Sequence, residues 1–210
     1  MEAMHLKIRI FALSVSAVLV VELIVRMSNL TSSLLALGLA RLIQGALIVW
    51  IVGGAGTGMV PIGLDRAGWF HGFRRGILWS AAFGAVALCA FVILSLAGMN
   101  VLSVLRTPLP SKVHTMVLFF IVGGVVAPFV EELFFRGLLY GFFRRWGLIF
   151  ALILSTAFFT IAHPLRSLPL TQIVGGLLFA LAYEMERNLL VPITIHMLGN
   201  LAIFTLSALF

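Results

Sequence analysis

The stretch 113–136, VHTMVLFFIVGGVVAPFVEELFFR, decides how this chain folds. From Val113 to Phe129 the only ionisable side chain is His114, at the edge of the run. Such a segment reads as a helix buried in a membrane, yet Glu131, Glu132 and Arg136 follow within the same helical register. Each charge at membrane depth costs ~2.5–3.5 kcal/mol on insertion scales. Three of them within six residues call for internal partners or a function. Glu132 and Arg136 are four apart with the glutamate first, the favourable order for an ion pair on a helix. That pairing leaves the Glu131 carboxylate over.

The rest of the chain agrees with a membrane setting. It has 210 residues, 62% hydrophobic and only 10% charged, with a mean hydropathy of +1.18. A soluble domain is about 45–50% apolar and about 25% charged. The expectation is an all-α, polytopic membrane helix bundle of about seven transmembrane helices, with a site in a mid-membrane cavity. It forms one integral-membrane domain over 1–210, with N-terminal helices in 1–112 and a catalytic core in 113–210. The net charge of +7 reads as membrane orientation, because the basic residues sit in short loops. No basic run interleaved with aromatics could follow a phosphate backbone, so nucleic acid is not an expected partner. The single cysteine, Cys89, allows no intrachain disulfide and reads as packing.

A crossing helix needs about 20 mostly apolar residues. The expected spans run from about Ile8 to Val25, Ser32 to Gly53, Ile77 to Ala97, Val113 to Phe143, Leu148 to His163, Thr171 to Glu186 and Pro192 to Leu209. The fifth and sixth are short. Lys7 and Arg9 before the apolar stretch Ile10 to Val21 resemble the start of a signal sequence, but no small-residue cleavage site follows, so a retained helix is expected. Ala55 to Gly76 reads as an interfacial segment anchored by Trp69, and Gly98 to Lys112, with Pro108 and Pro110, as irregular. With the N-terminus inside, Lys7, Arg9, Arg66, Arg74, Arg75, Arg144, Arg145 and Arg187 fall on the inner side, against Arg26, Arg106, Lys112 and Arg166 outside. This bias orients the N-terminus to the cytoplasm of a multi-pass cell-membrane protein, in a prokaryotic inner membrane.

Three polar constellations fall in the last four spans: Glu131, Glu132 and Arg136; Phe159-Thr160-Ile161-Ala162-His163, with Pro164 after it; and His196-Met197-Leu198-Gly199-Asn200. Measured by helical rise from the inner surface, Glu131 lies roughly 20 Å deep, His163 roughly 24 Å and His196 roughly 10–13 Å. Tilt or helix breaks would have to close the difference. Singly, each has a bland explanation: a histidine bonding a carbonyl, an asparagine as interhelical glue, Glu132 with Arg136 as a structural ion pair. Together, a spare carboxylate, two histidines and an asparagine are the inventory for activating water against a carbonyl and stabilising the oxyanion. Glu22 with Arg26 reads as a local pair and Arg41 with Gln44 as structural. Glu184, Glu186 and Arg187 sit at a span end, where headgroup contact would explain them.

These residues resemble a known family. Glu131-Glu132-x-x-Phe135-Arg136-Gly137, Phe159-x-x-x-His163 and His196-x-x-x-Asn200 are similar, in order and spacing, to the three motifs of the CaaX protease and bacteriocin-processing (CPBP, or Abi) group of intramembrane endopeptidases. The resemblance covers about Val113 to Leu206; the first three spans share only hydrophobicity. It implies that Glu131 and His163 activate the attacking water, that His196 and Asn200 form the oxyanion hole, and that Glu132 and Arg136 organise the site. The family was first classed as metalloproteases and later as glutamate-dependent. No His-Glu-x-x-His helix occurs here, although Glu131, His163 and His196 could together ligate zinc; the expectation is no metal and no other cofactor. The implied partners are the lipid bilayer and a peptide, or a protein with a C-terminal or leader tail. Two other readings stand beside the protease: a non-catalytic immunity or scaffold protein of the same fold, which predicts damaged motifs, and a small proton-coupled transporter, which predicts paired repeats with broken helices. Neither sign occurs. The sequence assigns no oligomeric state.

Overall fold

The computed structural model describes residues 6–56, 58–163 and 169–210. Pro164 and Arg166 lie outside the described residues. Seven long helical segments appear among them: α1 (Ile8–Met27), α2 (Leu34–Gly53), α3 (Trp69–Leu96), α4 (Val113–Trp146), α5 (Leu148–Ile161), α6 (Leu170–Glu186) and α7 (Leu190–Leu209). Short helical turns occupy several of the connections, and no strand occurs among the described residues. Five helices, α1, α2, α4, α7 and the stretch Arg66–Leu96 containing α3, are long and apolar enough to cross a membrane. The 14 residues of α5 and 17 of α6 fall short, as their sequence lengths led one to expect.

Helix α4 lies at the centre, in contact with α1, α2, α5, α6 and α7. The α1–α2 hairpin turns at Asn29, which takes the left-handed conformation (φ 54°), and at Ser33, whose hydroxyl caps the Ala36 amide. The hairpin is tied internally where Arg41 bonds both Glu22 and Gln44, and Gln44 reaches the Val18 carbonyl. Arg26 bonds Glu22 at 3.2 Å. Glu22 and Arg26 thus form the local pair expected, and Arg41 and Gln44 take the structural roles expected. The core beneath them gathers Ile48, Val52, Leu133, Leu138 and Tyr140 with Ile62 and Leu189 from the α2–α3 and α6–α7 connections.

Two expectations change. The stretch ending at Gly76 is not all connection between spans: its last eight residues are helical, because α3 already begins at Trp69 and runs for 28 residues. Its glycines and aromatics continue the helix, since no proline interrupts it after Pro61. Cys89, read as packing, lies on an exposed face of α3. That helix packs on the bundle most closely at Gly72 and Gly76, which are buried against Asn188 and Thr194, where a Cβ on either would collide.

Candidate active site

Helix α4 is not a uniform α-helix. Two of its stretches, Val122–Val126 and Leu133–Tyr140, widen to π-helix, and the segment Ala127–Glu132 lies between them. In the first wide turn the Ala127 amide reaches back to the Val122 carbonyl. The next bond in that register would run from residue 128 to Gly123, but Pro128 has no N–H to give. The Gly123 carbonyl is instead taken by Asn200, whose Nδ2 donates to it at 2.9 Å. A close approach of α4 and α7 makes this possible: a Cβ on Gly124 would lie 2.6 Å from the Leu201 side chain. Wide turns of this kind are frequent at functional sites, where they re-aim side chains.

Glu132 is the fully buried hub of the site. Its Oε1 accepts from Nη1 of Arg136 at 2.8 Å and faces Nδ1 of His196 at 2.8 Å. Arg136, also fully buried, donates its Nη2 to the Gly176 carbonyl of α6 at 3.0 Å. Its guanidinium lies 4.6 Å from the Phe159 ring centre and 5.2 Å from that of Phe179. Buried cations are held by such ring faces as well as by carboxylates. Phe179 in turn stacks on the His196 imidazole, with ring centres 4.6 Å apart and planes 22° apart. Glu132 therefore binds α4 to α7, and Arg136 binds α4 to α6.

Glu131 points elsewhere. Its Oε2 lies 3.8 Å from Nε2 of His163 and 3.9 Å from Nε2 of His196. Its side chain keeps 17% of its surface exposed and that of His163 keeps 27%, against 5% for His196. His163 sits just past the end of α5, and its Nδ1 faces the Phe159 carbonyl at 2.7 Å. A carbonyl only accepts, so Nδ1 carries a proton, and Nε2 is the ring atom turned towards Glu131. In His196 the Nδ1 proton goes to Glu132, and Nε2 turns to Glu131 in the same way. Three elements thus bring Glu131, His163 and His196 together, although depths counted along straight helices differed by about 10 Å.

Five of the six expected residues, Glu131, Glu132, Arg136, His163 and His196, take part in one connected set, whereas Asn200 is bonded to the Gly123 carbonyl. Among the described residues no three His, Cys, Asp or Glu side chains are grouped so as to hold a metal ion. Sequence reasoning missed the bond between Glu132 and His196, the Phe179 stack and the role of the Gly123 carbonyl. Pro128 alone carried a readable signal, since a proline within a helix leaves a carbonyl without its donor. Glu184 and Glu186, assigned to headgroup contact, have protein partners instead. Glu184 bonds Tyr140, Arg144 and Arg187, while Glu186 bonds Arg75 and Trp79. These bonds fasten the end of α6 to α4 and α3.

Residues 113–202 match the family described as type II CAAX prenyl endopeptidase Rce1-like. A stretch of 89 residues is 29% identical to "Putative membrane peptidase YdiL" of Bacillus subtilis (strain 168), covering 42% of this chain and 36% of that relative. The similarity thus spans little more than a third of the relative's length. No solved structure matches. Both similarities bear out the resemblance to the CPBP group in the segment that holds the three motifs.

Proposed function

We propose that this multi-pass membrane chain, whose residues 113–202 match a CAAX-type endopeptidase family, hydrolyses a peptide bond within the membrane by glutamate-activated water. One observation carries the reading: the part-exposed Glu131 Oε2 faces the Nε2 atoms of both His163 and His196 at 3.8 and 3.9 Å. A water at about 2.8 Å from Glu131 and from His163 can give one hydrogen to each, since both are acceptors. Glu131 removes the first proton as the water oxygen attacks the scissile carbonyl carbon. The same proton returns to the leaving nitrogen when the C–N bond breaks.

The oxyanion formed in that attack needs donors. Asn200 spends one Nδ2 hydrogen on Gly123 and keeps the other. His196 can donate from Nε2 only as an imidazolium, because its Nδ1 proton is held by Glu132. Glu132 and Arg136 act as positioning residues, setting the His196 ring and the helix spacing. No step calls on a metal.

The substrate we assign is a membrane-associated peptide or a protein tail, reached from the bilayer or its surface. The cell membrane is the proposed location, with the N-terminus cytoplasmic. The test is cleavage by the full chain reconstituted in vesicles. Glu131→Gln keeps the shape and removes the base, so turnover falls by ~10²-fold or more. A Glu131→Gln protein that melts like wild type and retains near-normal turnover would overturn the assignment.

A further inference from the structure

One face of the molecule bears basic groups that the site does not use. Leu6, Arg75, Arg144, Arg145, Glu184 and Glu186 share it, because Arg145 bonds the Leu6 carbonyl, Arg144 bonds Glu184, and Arg75 bonds Glu186. Most cations there are matched: Arg144 and Arg187 by Glu184, Arg75 by Glu186. Arg74 has no acidic partner among the described residues, and His71 lies one helical turn before it on the same helix. His71, Arg74, Arg75 and Leu78 line a recess of about 220 Å³ on the outside of α3.

The depth of that recess follows from the helix length. From Ile77 to Leu96 the chain has 20 apolar-rich residues, which span about 30 Å, the thickness of the hydrocarbon layer. The turns before Ile77 therefore lie among the headgroups. Trp69, Phe70 and Phe73, exposed at 52%, 81% and 54%, flank the basic residues there, an aromatic collar of the kind that seats a helix at the interface. The recess is thus basic, concave, at phosphate depth, and beside the Arg75–Glu186–Trp79 link that fastens α3 to α6.

We propose that His71, Arg74 and Arg75 form a binding site for the phosphodiester headgroup of an anionic phospholipid. Arg74 supplies the unmatched charge, and Arg75 presents the edge of its guanidinium that Glu186 leaves. Leu78 meets the first acyl carbons. The site is independent of the proteolytic reading, since its residues lie outside the catalytic set.

The full chain, purified in a neutral detergent at pH 7, is titrated with phosphatidylglycerol, and bound lipid is counted by native mass spectrometry. The combined variant His71→Gln, Arg74→Gln loses about fivefold or more in affinity, at about 1 kcal/mol for each arginine near an anionic surface. Lys112→Gln, a basic residue on the opposite side, retains wild-type affinity. Phosphatidylcholine binds more weakly than phosphatidylglycerol to the wild-type chain and equally to wild type and double variant. Unchanged phosphatidylglycerol affinity in the double variant overturns the site. So does an equal loss in Lys112→Gln, which would mean a general surface charge effect, or equal binding of the two lipids by the wild-type chain.

Discussion

Two of the arginine–carboxylate contacts, one at the site and one at the basic face, differ in surroundings more than in geometry. At the site, Arg136 meets Glu132 at 2.8 Å with both side chains fully buried. At the basic face, Arg144 meets Glu184 at 2.9 Å with 30% and 14% of their surfaces exposed. A charge pair out of water cannot be replaced by solvent when one member is lost, whereas a surface pair can. The first contact therefore belongs to an all-or-none assembly, in which Glu132, Arg136 and His196 depend on one another. The second is one of several tethers, each worth little alone.

Removing Arg136 is the strongest way to sharpen that contrast. Arg136→Ala leaves Glu132 buried without its cation and should lower stability by ~3–5 kcal/mol, read as a fall in thermal midpoint or in folded yield. A variant that is inactive but as stable as wild type would instead put Arg136 in contact with substrate. The next largest effect is on the reaction. Asn200→Ala removes the proposed oxyanion donor, and loss of one such donor lowers kcat by ~10²–10³-fold. Single-turnover cleavage with unchanged substrate binding is the expected pattern; loss confined to binding would move Asn200 to a structural role.

The tethers should respond weakly. Arg144→Ala leaves Glu184 with Tyr140 and Arg187, so stability should fall by about 1 kcal/mol or less. That small loss should shrink further in high salt, which screens the exposed contact. A drop comparable to that of Arg136→Ala would erase the distinction between the two regions. The smallest expected effect is that of chelation. Activity should survive removal of divalent metal, and purified active protein should hold well under one zinc per chain by elemental analysis. Activity lost on stripping and restored by zinc would replace the glutamate mechanism with a metal one, with Glu131, His163 and His196 as ligands.

Much of this was legible because composition constrains a membrane chain so tightly. Apolar runs of fixed length located the helices, and any charge inside them had to be explained. Glu131, Glu132, Arg136, His163, His196 and Asn200 stood out for that reason. The beginning of α3 did not, because exposed aromatics and arginines suit an interfacial helix and an interfacial loop equally well. Glu184 and Glu186 were misread for a related reason: a carboxylate at a span end looks the same whether lipid or another helix meets it.

The sequence by itself determined the all-helical membrane architecture, the order of the seven segments and the identity of the six polar residues that the bilayer would otherwise penalise. Those follow from local quantities: hydropathy, helix length and i,i+4 spacing. Only the tertiary structure decided which residue meets which. It gave Glu132 to Arg136 and His196 together, left Glu131 facing two Nε2 atoms, and handed the Gly123 carbonyl to Asn200. Those partnerships join residues up to 77 positions apart. They depend on the wide turns of α4 and on where α5, α6 and α7 pack against it, and side-chain spacing along one helix carries no record of how another helix is rotated against it.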